Sequence, residues 1–183
     1  DVTLVTPVFC NTKDASDRPD FFVASRAHHA EIGGKTPGSM PPMATCLAEE
    51  GVLIRNFALI RRGQTNEQAL RRILCDAKYP SRNVEENLAD IHAQIAAGRE
   101  GAAALTQMAD ELGLQRIRRM MDRLLDVAAD SVACWIKTLP ETQMTFADEL
   151  DDGTPIEVSL KREGDRLCVD FDGTGGVHPR GFN

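Results

Sequence analysis

Over residues 2–9 Val and Leu alternate with Thr, and Val8 and Phe9 follow Pro7, a pattern that predicts a strand. Pro7 cannot donate to a ladder, so this strand belongs near a sheet edge. The polar stretch from Cys10 to Asp20, with Asn11, Asp14, Ser16, Asp17 and Pro19, reads as a hairpin-type loop. Phe21 to His28 reads as a second strand, antiparallel to the first. That pairing would bring Asp1 to the strand end that carries His28 and His29. Neighbouring residues on a strand point to opposite faces, so the two histidines are not expected to serve one site together. Gly33 and Gly34 break the strand pattern, and Pro37, Gly38, Pro41 and Pro42 exclude both helix and central strand beyond it. Val52 to Ile60 is the strongest apolar strand pattern in the chain, ended by Arg61-Arg62-Gly63.

Helical spacing takes over next. Asn66 is placed to cap a short helix in which Ala69, Leu70, Ile73 and Leu74 share a face. Leu88, Ile91, Ile95, Gly98, Ala102, Leu105, Ala109 and Leu112 then step by three and four. This predicts an amphipathic helix from about Val84 to Leu112, on the order of 40 Å long, with Gly113 as its C-cap. A second helix follows, with Leu114, Ile117, Met121, Leu124, Ala128, Val132, Trp135 and Leu139 on one face, ended by Pro140. Two long helices joined at one glycine predict an antiparallel hairpin, with Gly98 and Ala102 admitting the partner backbone. Met144–Asp148, Ile156–Lys161 and Arg166–Phe171 read as a β-meander turning at Asp151-Asp152-Gly153 and Glu163-Gly164-Asp165. The fold class expected is α+β: a β-rich segment over 1–63 bearing a site loop, a helical segment over 66–139, and a meander over 141–183.

Composition narrows the partners. The net charge of -7 gives no global attraction to nucleic acid or to an anionic membrane. No apolar run is long enough to span a bilayer, and no signal peptide is visible. Cys10, Cys46, Cys75, Cys134 and Cys168 are odd in number, scattered and without a C-x-x-C pair, which points to reduced thiols in a cytoplasmic protein. With no initiating methionine and a first residue already at a strand, the chain reads as a piece of a longer protein, cut at both ends.

Several motifs carry less than they promise. Gly34-Lys35-Thr36 lacks the first glycine of a phosphate loop, where His29 stands, and Pro37 blocks its continuation. Asp170-Phe171-Asp172-Gly173-Thr174 follows a hairpin-like strand pair rather than opening a β-α unit, so it reads as a sheet terminus and a turn. Arg116, Arg118, Arg119 and Arg123 lie within helical reach of Asp122, Asp126 and Asp130, which predicts a salt-bridged solvated face. His92 reads as a surface or partner-facing histidine, and His178 has no evident local partner. Asn87, Asp90 and Gln94 form a polar stripe whose composition alone indicates an exposed helix face. His28, His29 and Glu31 are the best acid/base or metal candidates, because imidazole and carboxylate suit a divalent first-row metal and histidine is the commonest general base.

Longer motifs then add a resemblance. Asp1-Val2-Thr3, the run Phe22-Val23-Ala24-Ser25-Arg26-Ala27-His28-His29-Ala30-Glu31-Ile32-Gly33-Gly34, and Thr36-Pro37-Gly38-Ser39-Met40-Pro41-Pro42 resemble the hydantoinase B/oxoprolinase family. So do Glu49-Glu50-Gly51, Arg82-Asn83, Asn87-Leu88-Ala89-Asp90, Ala93-Gln94 and Asp151-Asp152-Gly153. Glu31 stands where the family usually has aspartate, and a family histidine three residues before Asp1 falls outside the chain. The resemblance implies part of an ATP-dependent cyclic amide hydrolase that opens 5-oxoproline to glutamate. Its partner would be a hydantoinase A-like half that binds ATP, in an oligomeric assembly. A hydantoin-hydrolysing subunit, an acetone-type carboxylase subunit and a non-catalytic assembly piece are the alternatives. On the same resemblance, Asp1 with His28 or His29 would bind a divalent metal (Mg, Mn or Zn). His28, His29, Arg26 and Glu31 become the catalytic candidates. Arg82, Asn83, Asn87, Asp90 and Gln94 become substrate-binding candidates rather than surface.

Overall fold

A computed structural model describes residues 1–10, 18–38 and 41–180. Part of the predicted hairpin loop (residues 11–17), Ser39 and Met40 of the Pro-rich motif, and the final 181–183 lie outside the described residues. The chain divides into two compact units, Asp1–Leu112 (with Pro179 and Arg180) and Gly113–His178.

The first unit opens with the ribbon that the alternation predicts. Strand β1 (Val2–Val8) pairs antiparallel with β2 (Phe21–Ala27), in a register that sets Val2 opposite Ala27 and Val8 opposite Phe21. Val8 and Phe21 are buried, and residues on the opposite face, such as Val5 and Phe22, are exposed. A four-residue helix, α1 (Leu47–Glu50), follows the site loop.

Val52 to Ile60 does not form the expected strand. Only β3 (Ile60–Arg61) pairs, with β4 (Gln64–Thr65), around a turn in which Arg62 and Gly63 both have positive φ. The upstream residues still alternate. Val52 and Ile54 face inward, Asn56 at φ 47 resets the phase, and Phe57 and Leu59 face inward again. Packing satisfied this stretch without a ladder partner.

Helix α2 (Glu67–Cys75) and helix α3 (Val84–Leu112) supply the core. Leu70, Leu74, Leu88, Ile91 and Ile95 are buried together, and Leu4, Ile32, Val52, Ile54, Phe57 and Leu59 pack on them. Each such side chain, when fully buried, contributes about 1.5–3 kcal/mol. Asn66 stands at the N-terminus of α2, but its side chain makes no capping bond; the backbone does the work, with its N–H donated to Leu59 O and its carbonyl accepting from Leu70 N.

The small residues of α3 meet the ribbon. A Cβ added at Gly98 would stand 2.7 Å from Thr6 Oγ1, and one at Gly101 would stand 2.9 Å from Val23 Cγ1. The close approach at Gly98 is therefore to β1, and that at Gly101 to β2.

In the second unit, helix α4 (Leu114–Ile136) precedes β5 (Met144–Glu149), β6 (Pro155–Glu163) and β7 (Arg166–Asp170). These form the predicted antiparallel meander in the order β5-β6-β7. Gly153 and Gly164 take positive φ at the two predicted turns. The Asp170–Thr174 segment is a turn docked on β6: Thr174 Oγ1 donates to Glu157 O and accepts from Glu157 N. The arginine face of α4 is exposed as expected, but among the described residues Arg116, Arg119 and Arg123 form none of the expected ion pairs with Asp122, Asp126 or Asp130.

Candidate functional site

Antiparallel pairing carries Asp1 to the end of β2. Its Oδ1 lies 2.8 Å from His28 Nδ1, and its Oδ2 accepts a hydrogen bond from Arg26 Nε at 2.9 Å. One carboxylate thus holds an imidazole and a guanidinium together on the solvent face of the ribbon. The Asp1, His28 and Arg26 side chains are 39%, 61% and 69% exposed, so a ligand can reach all three. A cleft of about 250 Å³ opens beside Asp1, lined among others by Thr3, Ile32, Glu50, Val52 and Ile54.

His29, two residues past the end of β2, is buried where His28 is exposed. Its side chain is 1% exposed, and Nδ1 lies 3.2 Å from Asp90 Oδ2. The alignment is too poor for a hydrogen bond, and among the described residues neither ring nitrogen has a hydrogen-bond partner. His29 is thus separated from the pair that Asp1 makes with His28.

Glu31 is held from several directions. Its Oε1 accepts from Arg82 N at 3.0 Å and Asn83 N at 3.2 Å, with Ser81 Oγ 2.6 Å away. Its Oε2 accepts from Gly33 N at 2.9 Å and lies 3.4 Å from Arg82 Nη1. Burial pushes the Glu31 carboxyl up, but the bonds from Ser81, Gly33, Asn83 and Arg82 together hold it below its ordinary value. The carboxylate sits at the N-terminus of α3, where its charge is favoured. Asn83 caps that helix by a reciprocal exchange with Glu86: Glu86 N donates to Asn83 Oδ1 and Asn83 Nδ2 donates to Glu86 Oε2.

Two glycines let the loop enter this cradle. Gly34 has φ 100, and a Cβ there would stand 2.6 Å from Glu50 O. Its own N–H donates to Tyr79 O and its carbonyl accepts from Arg82 Nη2. Lys35, read as an ordinary loop lysine, pairs with Glu49 at 3.3 Å.

The polar stripe on α3 faces inward. Asn87 and Gln94 are 3% and 4% exposed, which overturns the exposed-face reading that composition supports for them. Asn87 Nδ2 donates to Glu31 O at 2.7 Å. Gln94 Nε2 donates to Val2 O at 3.0 Å and to Ser25 O at 3.1 Å. Only Asp90 keeps a half-exposed side chain. The arrangement gathers Asp1, Arg26 and His28 in one place and Glu31, Arg82, Asn83 and Asn87 in another. It spends the amides of Asn87 and Gln94 on backbone rather than on an open cleft.

Ser81 escaped the sequence reading. Its hydroxyl, with one proton, lies 2.6 Å from Glu31 Oε1 and 2.5 Å from Asn87 Oδ1, joining loop to helix. A serine just ahead of an Asn-capped helix is the only local signal for it. Two histidines also gain partners: His92 Nε2 lies 3.0 Å from Glu67 Oε2, and His178 Nε2 lies 2.6 Å from Asp152 Oδ2. Asp152 also accepts from the Thr154 hydroxyl and backbone, and these bonds with His178 lower its carboxyl to about 2. Among the described residues, no three His, Cys, Asp or Glu side chains converge on a point that could hold a metal ion. No helix there is long and apolar enough to cross a membrane.

Comparison with known proteins agrees with the motifs. The family model described as Hydantoinase B/oxoprolinase matches residues 1–183. The chain is 32% identical to 5-oxoprolinase 1 of Arabidopsis thaliana over 96% of its own length and 15% of that relative. It is 33% identical to the 5-oxoprolinase of Saccharomyces cerevisiae, over 95% of this chain and 14% of that one. Among solved structures, the ATP-dependent caprolactamase from Pseudomonas jessenii superposes with a TM-score of 0.80 at 22% identity, covering 97% of this chain and 30% of that chain. The chain therefore spans about one seventh of the curated 5-oxoprolinases it matches.

Proposed function

Because the chain belongs to the hydantoinase B/oxoprolinase family, we propose that it forms part of an ATP-dependent cyclic amide hydrolase that opens 5-oxoproline to glutamate. The observation that carries this reading is the Asp1–His28 pair, 2.8 Å apart, whose Asp1 also lines a cleft of about 250 Å³. A five-membered lactam is small enough for such a space. Asp1 and His28 fit two positions of a divalent metal site, an anionic oxygen and an imidazole nitrogen on accessible strand ends. They do not complete one, since a resident ion takes three or four protein donors and no third carboxylate, imidazole or thiolate joins them among the described residues. A metal bound there would polarise the ring carbonyl or the attacking water.

The remaining roles fall to the chain itself. Arg26, already tied to Asp1, sets a positive charge where a substrate carboxylate or a phosphorylated lactam oxygen would lie. Glu31, with both oxygens engaged, fixes the Gly33-Gly34 turn against α3 and serves as a positioning residue. His29, buried with Nδ1 3.2 Å from Asp90 Oδ2, takes a structural role. ATP is supplied by a hydantoinase A-like half, which activates the amide before the ring opens.

The test is ATP-dependent turnover of 5-oxoproline by the chain in its full assembly, with hydantoin as a competing substrate. His28→Ala should lower kcat at least 100-fold, and His29→Ala should act mainly on stability. Wild-type turnover in His28→Ala would remove the metal reading, and preference for hydantoin would move the substrate to that ring.

A further inference from the structure

We infer that Gln94 is a positioning residue whose amide sets the relation of Asp1 to His28. Its Nε2 donates to Val2 O and Ser25 O, at 3.0 and 3.1 Å, and reaches Ser25 Oγ at 3.3 Å. Val2 follows Asp1 directly, and Ser25 lies three residues before His28 on the paired strand. A single NH₂ group therefore holds both strands at the end from which the pair projects. It does so from a helix whose neighbouring turns are fixed by the Gly98 approach to Thr6 and by the Asn87 bond to Glu31 O.

The other end of the same amide separates this role from simple stabilisation. Gln94 Oε1 is buried and has no hydrogen-bond partner among the described residues. Leaving a buried acceptor unpaired costs about as much as a pair of neutral hydrogen bonds gains. The net contribution of Gln94 to folding is therefore small, and its geometric effect remains. An apolar residue of the same length would fill the space without the orphan oxygen, and would release the two carbonyls from their common donor.

The consequence for catalysis rests on the function proposed above, but the geometric claim does not. The probe is the metal-free chain, with the His28 imidazole read by ¹⁵N NMR at fixed pH and unfolding followed by circular dichroism. In Gln94→Met, His28 Nδ1 should lose the signature of its bond to Asp1, while the unfolding midpoint stays within about 3 °C of wild type. Asn87→Ala is the control. It should lower the midpoint by more than Gln94→Met does and leave the His28 signal in place. An unchanged His28 signal in Gln94→Met overturns the inference, and so does equal loss of that signal in Asn87→Ala. If His28→Ala keeps full turnover while Gln94→Met still breaks the pair, the catalytic reading fails and the positioning role stands.

Discussion

At the scale of single residues, the site contrasts one carboxylate that reaches solvent with one that is fully engaged. Asp1 is accessible and shared between an imidazole and a guanidinium, whereas Glu31 accepts hydrogen bonds at both oxygens. The sign of the Glu31 effect follows from its lowered carboxyl. A group that ionises more easily folded than unfolded adds stability above its unfolded value, and that stability disappears as pH falls through the folded value. Glu31→Gln should therefore destabilise the chain by about 2 kcal/mol near neutral pH. The difference from wild type should shrink as pH drops below the ordinary 4.5 of the group. Urea denaturation of both proteins between pH 3 and 7 checks this, and a constant difference would contradict it. That Asp1 meets the strand end carrying His28 and His29 was legible beforehand, because the alternation marks two strands joined by a turn-rich loop; which histidine it meets was not. Nor was the burial of Asn87 and Gln94. A 3.6-residue period shows that polar groups share a face, but not whether that face meets water or backbone carbonyls. Ser81 and the Asp152–His178 pair were also hidden, since their partners lie 50 and 26 residues away.

At the scale of elements, the limits of α3 matched its period, and the meander matched its glycine turns. Val52–Ile60 failed as a strand because its apolar residues were claimed by α2 and α3, and Asn56 broke the phase before any neighbour could pair. The glycines of α3 show the same priority of packing over propensity. Gly→Ala inside a helix normally stabilises by roughly 1 kcal/mol. At Gly98 and Gly101 the added carbon would collide with short, β-branched Thr6 and Val23, which cannot swing aside. Both substitutions should therefore destabilise, by about 1–3 kcal/mol net, in chemical denaturation. Stabilisation by either would mean that the ribbon lies further from α3 than the structure shows.

At the scale of the molecule, the first unit contains the ribbon, the Asp1–His28 pair, the Glu31 cradle and the apolar cluster of α2 and α3. Residues 1–112 alone should therefore unfold cooperatively and protect the amides of Ile91 and Ile95 from hydrogen exchange. A non-cooperative melt of that piece would refute its independence. The long span of the ties has a further consequence, in time. Ser81 reaches Glu31 across 50 residues, Asn87 reaches it across 56, and Gln94 reaches Val2 across 92. Closing loops of that size is slow compared with forming a helix or a hairpin. The ribbon and α3 can each take shape early, yet the site exists only after they dock. On a ribosome adding about 5–20 residues per second, Asp1 and His28 are exposed for seconds before Gln94 is made. The nascent chain therefore carries its chemical groups well before it can use them, and competence arrives with the last long-range contact rather than with the residues themselves.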